Sequence, residues 1–150
     1  MSSTLELLKG LPTRHVSAGD LLLETGTKAG VLLVLIEGAI EVRKSDVRVD
    51  FVREPGAVFG EISALLDAGH SADVFAAEDS TLYVIDNPRA FLREQPEFLL
   101  HVAELLAQRL RQLTTYLIDV KRQYEGHDHI GMVDHVLDSL VHRQPRKRGP

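Results

Sequence analysis

The chain has 150 residues, 44% of them hydrophobic, which suits one domain with a buried core. It has no cysteine, no apolar run long enough to span a membrane and no signal-peptide pattern at its start, so we exclude disulfides, thiolate chemistry and a membrane partner and expect a cytoplasmic protein. The net charge is −5, but four of the 17 basic residues lie at 143–150, and the acidic remainder would repel a phosphate backbone, so we expect no DNA binding.

The first half of the chain has the pattern of short strands separated by turns. The segment at 31–36 is rich in branched apolar residues and too short for a helix, and 47–53 alternates between apolar and polar residues as a half-buried strand does. The predicted strands are 21–24, 31–36, 39–43, 47–53, 73–76 and 81–85. Their spacing of about ten residues indicates a sandwich, roll or barrel.

A long helix is predicted from about residue 96 to 125, because no glycine or proline interrupts 97–124. Apolar residues recur there at alternating spacings of four and three, which is typical of a coiled coil. We call these positions the apolar seam: Leu99, Ala103, Leu106, Leu110, Leu113, Leu117, Val120 and Tyr124. A helix on the order of 40 Å exceeds what a small domain covers. We therefore expect a homodimer through Leu99, Leu106, Leu110, Leu113, Leu117 and Val120, with packing on its own domain as the alternative.

The end of the chain carries weaker signals. Residues 126–142 are expected to form a short helical extension, which is too short for a helix-turn-helix domain, and 143–150 to form a basic disordered tail. His127, Asp128, His129 and His135 have no cysteine or well-spaced carboxylate beside them, so we interpret them as a surface linker and expect no metal site.

The most informative segment is 59–74. Gly60 follows a predicted strand and allows a sharp turn, and a single helical turn from Glu61 to Leu66 then presents amide groups to an anion. Glu61 beside an anion makes sense if the ligand also offers a hydroxyl, as a ribose does. The stretch 69–72 returns a hydroxyl and a possible cation towards the same place.

This segment resembles the phosphate-binding cassette of the cyclic-nucleotide-binding domains. The segments 16–26, 33–42 and 55–61 are similar to the family's opening strand, its second hairpin and its entry into the cassette. The resemblance implies a mainly β fold with helices, an eight-stranded β-roll of the double-stranded β-helix or jelly-roll type, flanked by short helices and a long C-terminal helix. It implies one domain over 1–125 that ends in a lid or dimer helix.

The resemblance also implies residue roles. Backbone amides between Gly60 and Ser63 would hold the cyclic phosphate, Glu61 would accept the ribose 2′-hydroxyl and Ser71 would bond a phosphate oxygen. Thr114 or Thr115 would approach the purine amino group, or else lie on ordinary helix surface. The expected ligand-binding residues are Phe59, Gly60, Glu61, Ile62, Ser63, His70, Ser71, Ala72, Thr114 and Thr115.

One position departs from the family pattern, because His70 stands where an arginine usually neutralises the cyclic phosphate. Losing one charge-assisted hydrogen bond costs roughly 1.5–3 kcal/mol, or about one to two decades of affinity. Three hypotheses stay open: a weaker cyclic-nucleotide site, a site for another ligand, or a vacant scaffold. If His70 faces the phosphate, binding should strengthen as the pH falls through about 6.5.

No pattern in the chain indicates catalysis. Ser63 and Ser71 lack the Gly-x-Ser-x-Gly context of a nucleophile elbow, and no Walker loop or dinucleotide motif is present. We therefore predict a regulatory module, not an enzyme, that binds cAMP or cGMP without a cofactor and signals through its C-terminal helix to an unknown protein partner. The competing hypothesis is a degenerate, non-sensing dimeric scaffold of the same fold.

Overall fold

The computed structural model describes residues 2–124 and 130–141. The chain divides into two compact units, Met1–Val102 and Ala103–Pro150. The predicted boundary at residue 125 and the predicted tail at 143–150 lie outside the described residues and stay predictions.

The first unit contains the described strands and most of the helices. The strands are β1 Thr13–Val16, β2 Leu21–Leu23, β3 Val31–Glu37, β4 Ile40–Lys44, β5 Val47–Val52, β6 Val58–Phe59, β7 Asp73–Ala76 and β8 Ser80–Asp86. The helices among the described residues are α1 Ser2–Glu6, α2 Glu61–Leu66, α3 Pro88–Glu94, α4 Pro96–Gln123 and α5 Ile130–Val141. All six predicted strands and the predicted helices at 61–66, 96–125 and 130–141 are confirmed within two residues at each end.

The eight strands form two antiparallel four-stranded sheets. Their orders are β1-β8-β3-β6 and β2-β7-β4-β5, so most neighbours in space are distant in sequence. This arrangement is a β-roll followed by a long C-terminal helix, and the predicted fold class is confirmed. Two strands were not predicted: most residues of β1 are exposed, and the two residues of β6 are too few to show alternation.

The core lies between the two sheets and consists of their inward-facing apolar residues. Its buried members are Val16, Leu22, Leu23, Leu33, Leu35, Ile40, Phe59, Val74, Ala76 and Leu82. A second group of buried residues comprises Leu92, Phe98 and Val102 on the helices and Leu8 in the turn after α1. The first turns of α4 are therefore anchored in this unit, where the His101 ring also donates a hydrogen bond of 3.2 Å to the Gly56 carbonyl.

The second unit contains the part of α4 that follows Val102, together with the whole of α5. Lys121 of α4 and Asp134 of α5 form an ion pair. Along α4, the seam residues Leu110, Leu113 and Tyr124 are exposed, whereas Leu106, Leu117 and Val120 are half-buried.

Within residues 2–124 and 130–141, no helix combines the length and the apolar character needed to cross a bilayer.

Candidate functional site

In the cassette, residues 59–74, the chain turns from β6 into α2 at Gly60. Gly60 has a φ of 93°, in the left-handed region, and stands immediately before the first residue of α2. A Cβ at this position would lie 3.0 Å from the Val31 carbonyl oxygen and 3.4 Å from the Leu23 side chain. Both the backbone conformation and the close approach therefore favour glycine here, and they set the start of α2 against the roll.

Helix α2 carries the next predicted site residues. Glu61 occupies its first turn and is 8% exposed, whereas Ile62 is 40% exposed. The Ser63 hydroxyl donates a hydrogen bond of 2.5 Å to the Ala68 carbonyl, which closes the loop after the helix. The Ser63 hydroxyl therefore forms a hydrogen bond within the cassette. The group of Ser63 that would be available to a ligand is its backbone amide.

Residues 69–72, which complete the cassette after α2, run along the β2–β3 loop in close backbone contact. A Cβ on Gly69 would lie 2.6 Å from the carbonyl oxygen of Gly26. The Gly26 amide donates to the His70 carbonyl and the His70 amide donates to the Thr27 carbonyl, each at 2.9 Å. These contacts make a short parallel bridge that joins the cassette to the loop at 25–30.

His70 is buried, with 6% of its surface exposed. The Ala29 amide donates a hydrogen bond of 3.3 Å to Nε2 of the ring, so this nitrogen carries no proton. Burial lowers the pKa of His70 below its usual value, and the nearby negative charge of Glu61 opposes this only in part. The neutral imidazole therefore persists to lower pH than the value of about 6.5 used in the sequence analysis.

The last residues of the cassette differ in their surroundings. Ser71 is exposed and Ala72 is half-buried. Asp73, which the sequence analysis did not select, accepts hydrogen bonds from the Thr25 amide at 2.7 Å and the Thr25 hydroxyl at 2.8 Å. These two bonds hold the pKa of Asp73 below its usual value. No local pattern in the sequence links positions 25 and 73, so nothing there pointed to this pair.

A cleft of about 150 Å³ opens between the β2–β3 loop, α2 and the start of α3. Two cationic side chains that the sequence analysis missed line it, Lys28 and Arg89. Lys28 is paired with Asp67 at 3.5 Å, and Arg89 donates a hydrogen bond of 3.1 Å to the Leu65 carbonyl at the end of α2. Arg89 therefore ties the cassette helix to α3.

Comparison with protein families identifies this architecture. The model of the cyclic nucleotide-binding domain matches residues 13–93, more than half of the chain and all of the cassette. The chain belongs to the cyclic nucleotide-binding domain family. The family is generally regulatory and not enzymatic.

Solved structures share the fold of this cyclic nucleotide-binding domain. The catabolite activator protein of Thermus thermophilus is 22% identical, with a TM-score of 0.64 over 93% of this chain and 84% of that one. A protein of a cyclic-GMP-dependent signalling pathway in bacterial phytopathogenesis is 22% identical, with a TM-score of 0.63 over 75% of this chain and 94% of its own. A cyclic nucleotide-binding domain from Methylobacillus flagellatus is 21% identical, with a TM-score of 0.63 over 75% of this chain and 69% of that one.

A curated relative is much longer than this chain. Glutaminase 2 of Bradyrhizobium diazoefficiens is 34% identical in an alignment 113 residues long, which covers 69% of this chain and 18% of the relative. The chain therefore spans less than a fifth of that protein, and its similarity to Glutaminase 2 is confined to one part of the enzyme.

The remaining predicted site residues of this cyclic nucleotide-binding domain lie on α4. The hydroxyls of Thr114 and Thr115 donate to the carbonyls of Leu110 and Arg111, one turn earlier, at 2.9 and 3.0 Å. Both threonines belong to the second unit, and their contact with a purine stays a prediction. Across the described ranges, no group of three or more His, Asp or Glu side chains is arranged to hold a metal, while His127, Asp128 and His129 lie outside those ranges.

Proposed function

We propose that the chain is a regulatory module that binds a cyclic nucleotide, cAMP or cGMP, in the cassette. The observation that carries this proposal is the conformation of Gly60, which starts α2 in contact with Val31 and leaves Glu61 nearly buried in the first turn of that helix. A buried carboxylate next to helix-terminal amides suits a ligand that combines a phosphate with a neighbouring hydroxyl.

In the proposed complex, the backbone amides between Gly60 and Ser63 hold the cyclic phosphate, flanked by Phe59 and Ile62. Glu61 accepts the ribose 2′-hydroxyl, and the exposed hydroxyl of Ser71 bonds a phosphate oxygen beside the small side chain of Ala72. Thr114 or Thr115 supplies the contact to the base. The family match over residues 13–93 supports a ligand of this class without distinguishing adenine from guanine.

We expect weak binding, because His70 is neutral and bonded to Ala29 where the family usually places an arginine. The loss of a charge-assisted bond lowers affinity by about ten- to a hundredfold. The proposed output runs through α4, whose anchored first turns contact Gly56, three residues before the cassette begins. A shift in α4 requires that the nucleotide bind one of two conformations more tightly.

The second candidate function is a non-sensing scaffold of the same fold. The observation that favours it is the use of the His70 ring inside the protein, where it supports the β2–β3 loop through the Ala29 amide. His70 would then have a structural role at the position where the family usually places an arginine.

For either function we propose a cytoplasmic homodimer formed through the apolar seam, with output to a separate protein or domain. The exposure of Leu99 (39%), Leu110 (43%) and Leu113 (46%) supports an interface on α4. The similarity to one part of Glutaminase 2 supports the idea that such a module accompanies a separate activity.

A thermal-shift titration separates the two functions. A ligand that binds only the native state raises the melting temperature, so millimolar cAMP or cGMP should raise it for the wild-type chain while 5′-AMP, which lacks the cyclic phosphate, should not. The Glu61→Gln variant should lose most of the shift. A wild-type chain that is unmoved by both cyclic nucleotides at millimolar concentration would favour the scaffold.

A further inference from the structure

The cleft between the β2–β3 loop, α2 and the start of α3 combines an apolar lining with charged side chains. Its less exposed residues are apolar, since Pro88 is buried and Val31 and Ala64 are half-buried. Its exposed residues include two cationic side chains and one carboxylate. The volume of about 150 Å³ equals that of about five water molecules in the liquid. The cleft therefore suits a molecule of a few carbon atoms that carries one charged group.

The charges around the cleft leave one cation without a carboxylate partner. Lys28 and Asp67 pair with each other at 3.5 Å. Arg89 instead donates from Nη1 to the Leu65 carbonyl, a neutral group, at 3.1 Å. Among the side chains of residues 2–124 and 130–141, no carboxylate forms an ion pair with Arg89. Because a guanidinium has further N–H donors, Arg89 can bind a carboxylate while it keeps this bond.

This arrangement favours a monocarboxylate over a more highly charged anion. One uncompensated positive charge matches one negative charge, whereas the carboxylate of Asp67 would repel a phosphate dianion more strongly. We propose that the cleft binds a small monocarboxylic acid. Its carboxylate accepts hydrogen bonds from Arg89, and its short carbon chain lies against Val31, Ala64 and Pro88.

The proposed acid site is separate from the proposed nucleotide site. Of the predicted nucleotide-binding residues, Ser63 alone lines the cleft, and its hydroxyl is bonded to the Ala68 carbonyl. The inference therefore does not depend on cyclic-nucleotide binding. Arg89 nevertheless connects the two sites, because its bond to Leu65 holds the last turn of α2. A bound acid would contact the β2–β3 loop, α2 and α3 together and stabilise their arrangement.

The test is an NMR titration of the isotope-labelled full chain with sodium propionate, at constant ionic strength and without nucleotide. The backbone amide signals of Val31, Ala64 and Arg89 should shift and reach saturation. Propanamide, which has nearly the shape of propionate but no charge, should leave these signals in place. Inorganic phosphate should shift them less than propionate does at the same concentration. No saturable shift with propionate, equal shifts with propanamide or stronger binding of phosphate would each overturn the proposal.

Two variants examine the charge and the space separately. Arg89→Gln should weaken propionate binding by about tenfold, because a charge-assisted hydrogen bond is lost. Ala64→Leu keeps every charge but fills the cleft, so it should abolish binding. Arg93→Gln is the matched control, since it removes the same charge from an exposed position of α3 that does not line the cleft, and it should bind propionate as the wild type does.

The amide spectrum also reports whether each variant is folded. If Arg89→Gln does not fold, Ala64→Leu decides between the outcomes. A folded variant of either kind that binds propionate as tightly as the wild type would show that the acid does not occupy this cleft.

Discussion

The Nε2 atom of His70 lies 3.3 Å from the backbone nitrogen of Ala29 and accepts its hydrogen bond. The two residues are 41 positions apart, and this contact joins the return of the cassette to the β2–β3 loop. If the ring were protonated, Nε2 would carry a hydrogen and would become a donor that faces another donor, the Ala29 amide. The contact therefore favours the neutral ring at the one position where a cyclic-nucleotide site would use a cation.

The first prediction concerns the pH dependence of stability. The pKa of His70 is lower in the folded protein than in the unfolded chain, so the unfolded chain binds more protons once the pH falls below about 6.5. The free energy of unfolding should stay constant above that pH and fall below it, because the unfolded chain takes up this proton more readily than the folded protein does. Urea denaturation at pH 7.5 and 5.5 measures this fall. His70→Gln keeps an acceptor without the titration and should be less affected, and equal losses in both proteins would contradict the assignment.

The second prediction concerns nucleotide affinity. His70→Arg should tighten cAMP or cGMP binding by about ten- to a hundredfold, because it restores a charge-assisted bond. It should also cost about 1 kcal/mol of stability, because the Ala29 amide loses its acceptor. Titration calorimetry and urea denaturation measure the two effects. The control is His15→Arg, on the exposed surface of β1, which should change neither the nucleotide affinity nor the stability. A stably folded His70→Arg variant with no gain in affinity would show that position 70 does not contact the phosphate.

The third prediction isolates the role of Glu61. Replacing cAMP by its 2′-deoxy analogue should weaken binding to the wild-type chain by at least about tenfold, since a hydrogen bond to a charged group is lost. In Glu61→Gln the two ligands should bind almost equally. Glu54→Gln, at an exposed position, should discriminate as the wild type does. Undiminished discrimination by Glu61→Gln would show that another group binds the ribose.

The fourth prediction concerns the close approach of Gly69 and Gly26. Gly69→Ala places a methyl group 2.6 Å from a backbone carbonyl oxygen, and such overpacking costs about 1–3 kcal/mol. Gly131→Ala is the matched control, because a Cβ at that helical position meets nothing within 4 Å and alanine favours helix by about 1 kcal/mol. Thermal denaturation should therefore rank Gly69→Ala below the wild type and Gly131→Ala at or above it.

The fifth prediction concerns the apolar seam. Leu110→Glu combined with Leu113→Glu should shift the chain from dimer towards monomer at micromolar concentration, because charges replace apolar contacts between helices. Ile118→Glu, which is also on α4 and 38% exposed but lies outside the seam, should leave the dimer intact. Light scattering after size-exclusion chromatography distinguishes the two. A wild-type chain that is monomeric at these concentrations would assign the seam to another role.

Local patterns identified most of the fold. Alternation and β-branched residues located β3 and β5, and the uninterrupted apolar seam located α4. The turn at Gly60 followed by one helical turn placed the cassette and led to the family. The two strands that were not predicted, β1 and β6, pair with strands far away in sequence, β8 and β3. The short helices α1 and α3 were not predicted either.

What the sequence by itself determined is the family, most of the strands and helices and the position of the cassette, since each depends on residues close together in the chain. The tertiary structure decided what individual side chains do. It set His70 against Ala29 and Asp73 against Thr25, pairs separated by 41 and 48 positions. Hydrogen-bond geometry and burial of this kind arise only when distant loops meet, so the protonation state of His70 follows from the packed fold and not from its place in the motif.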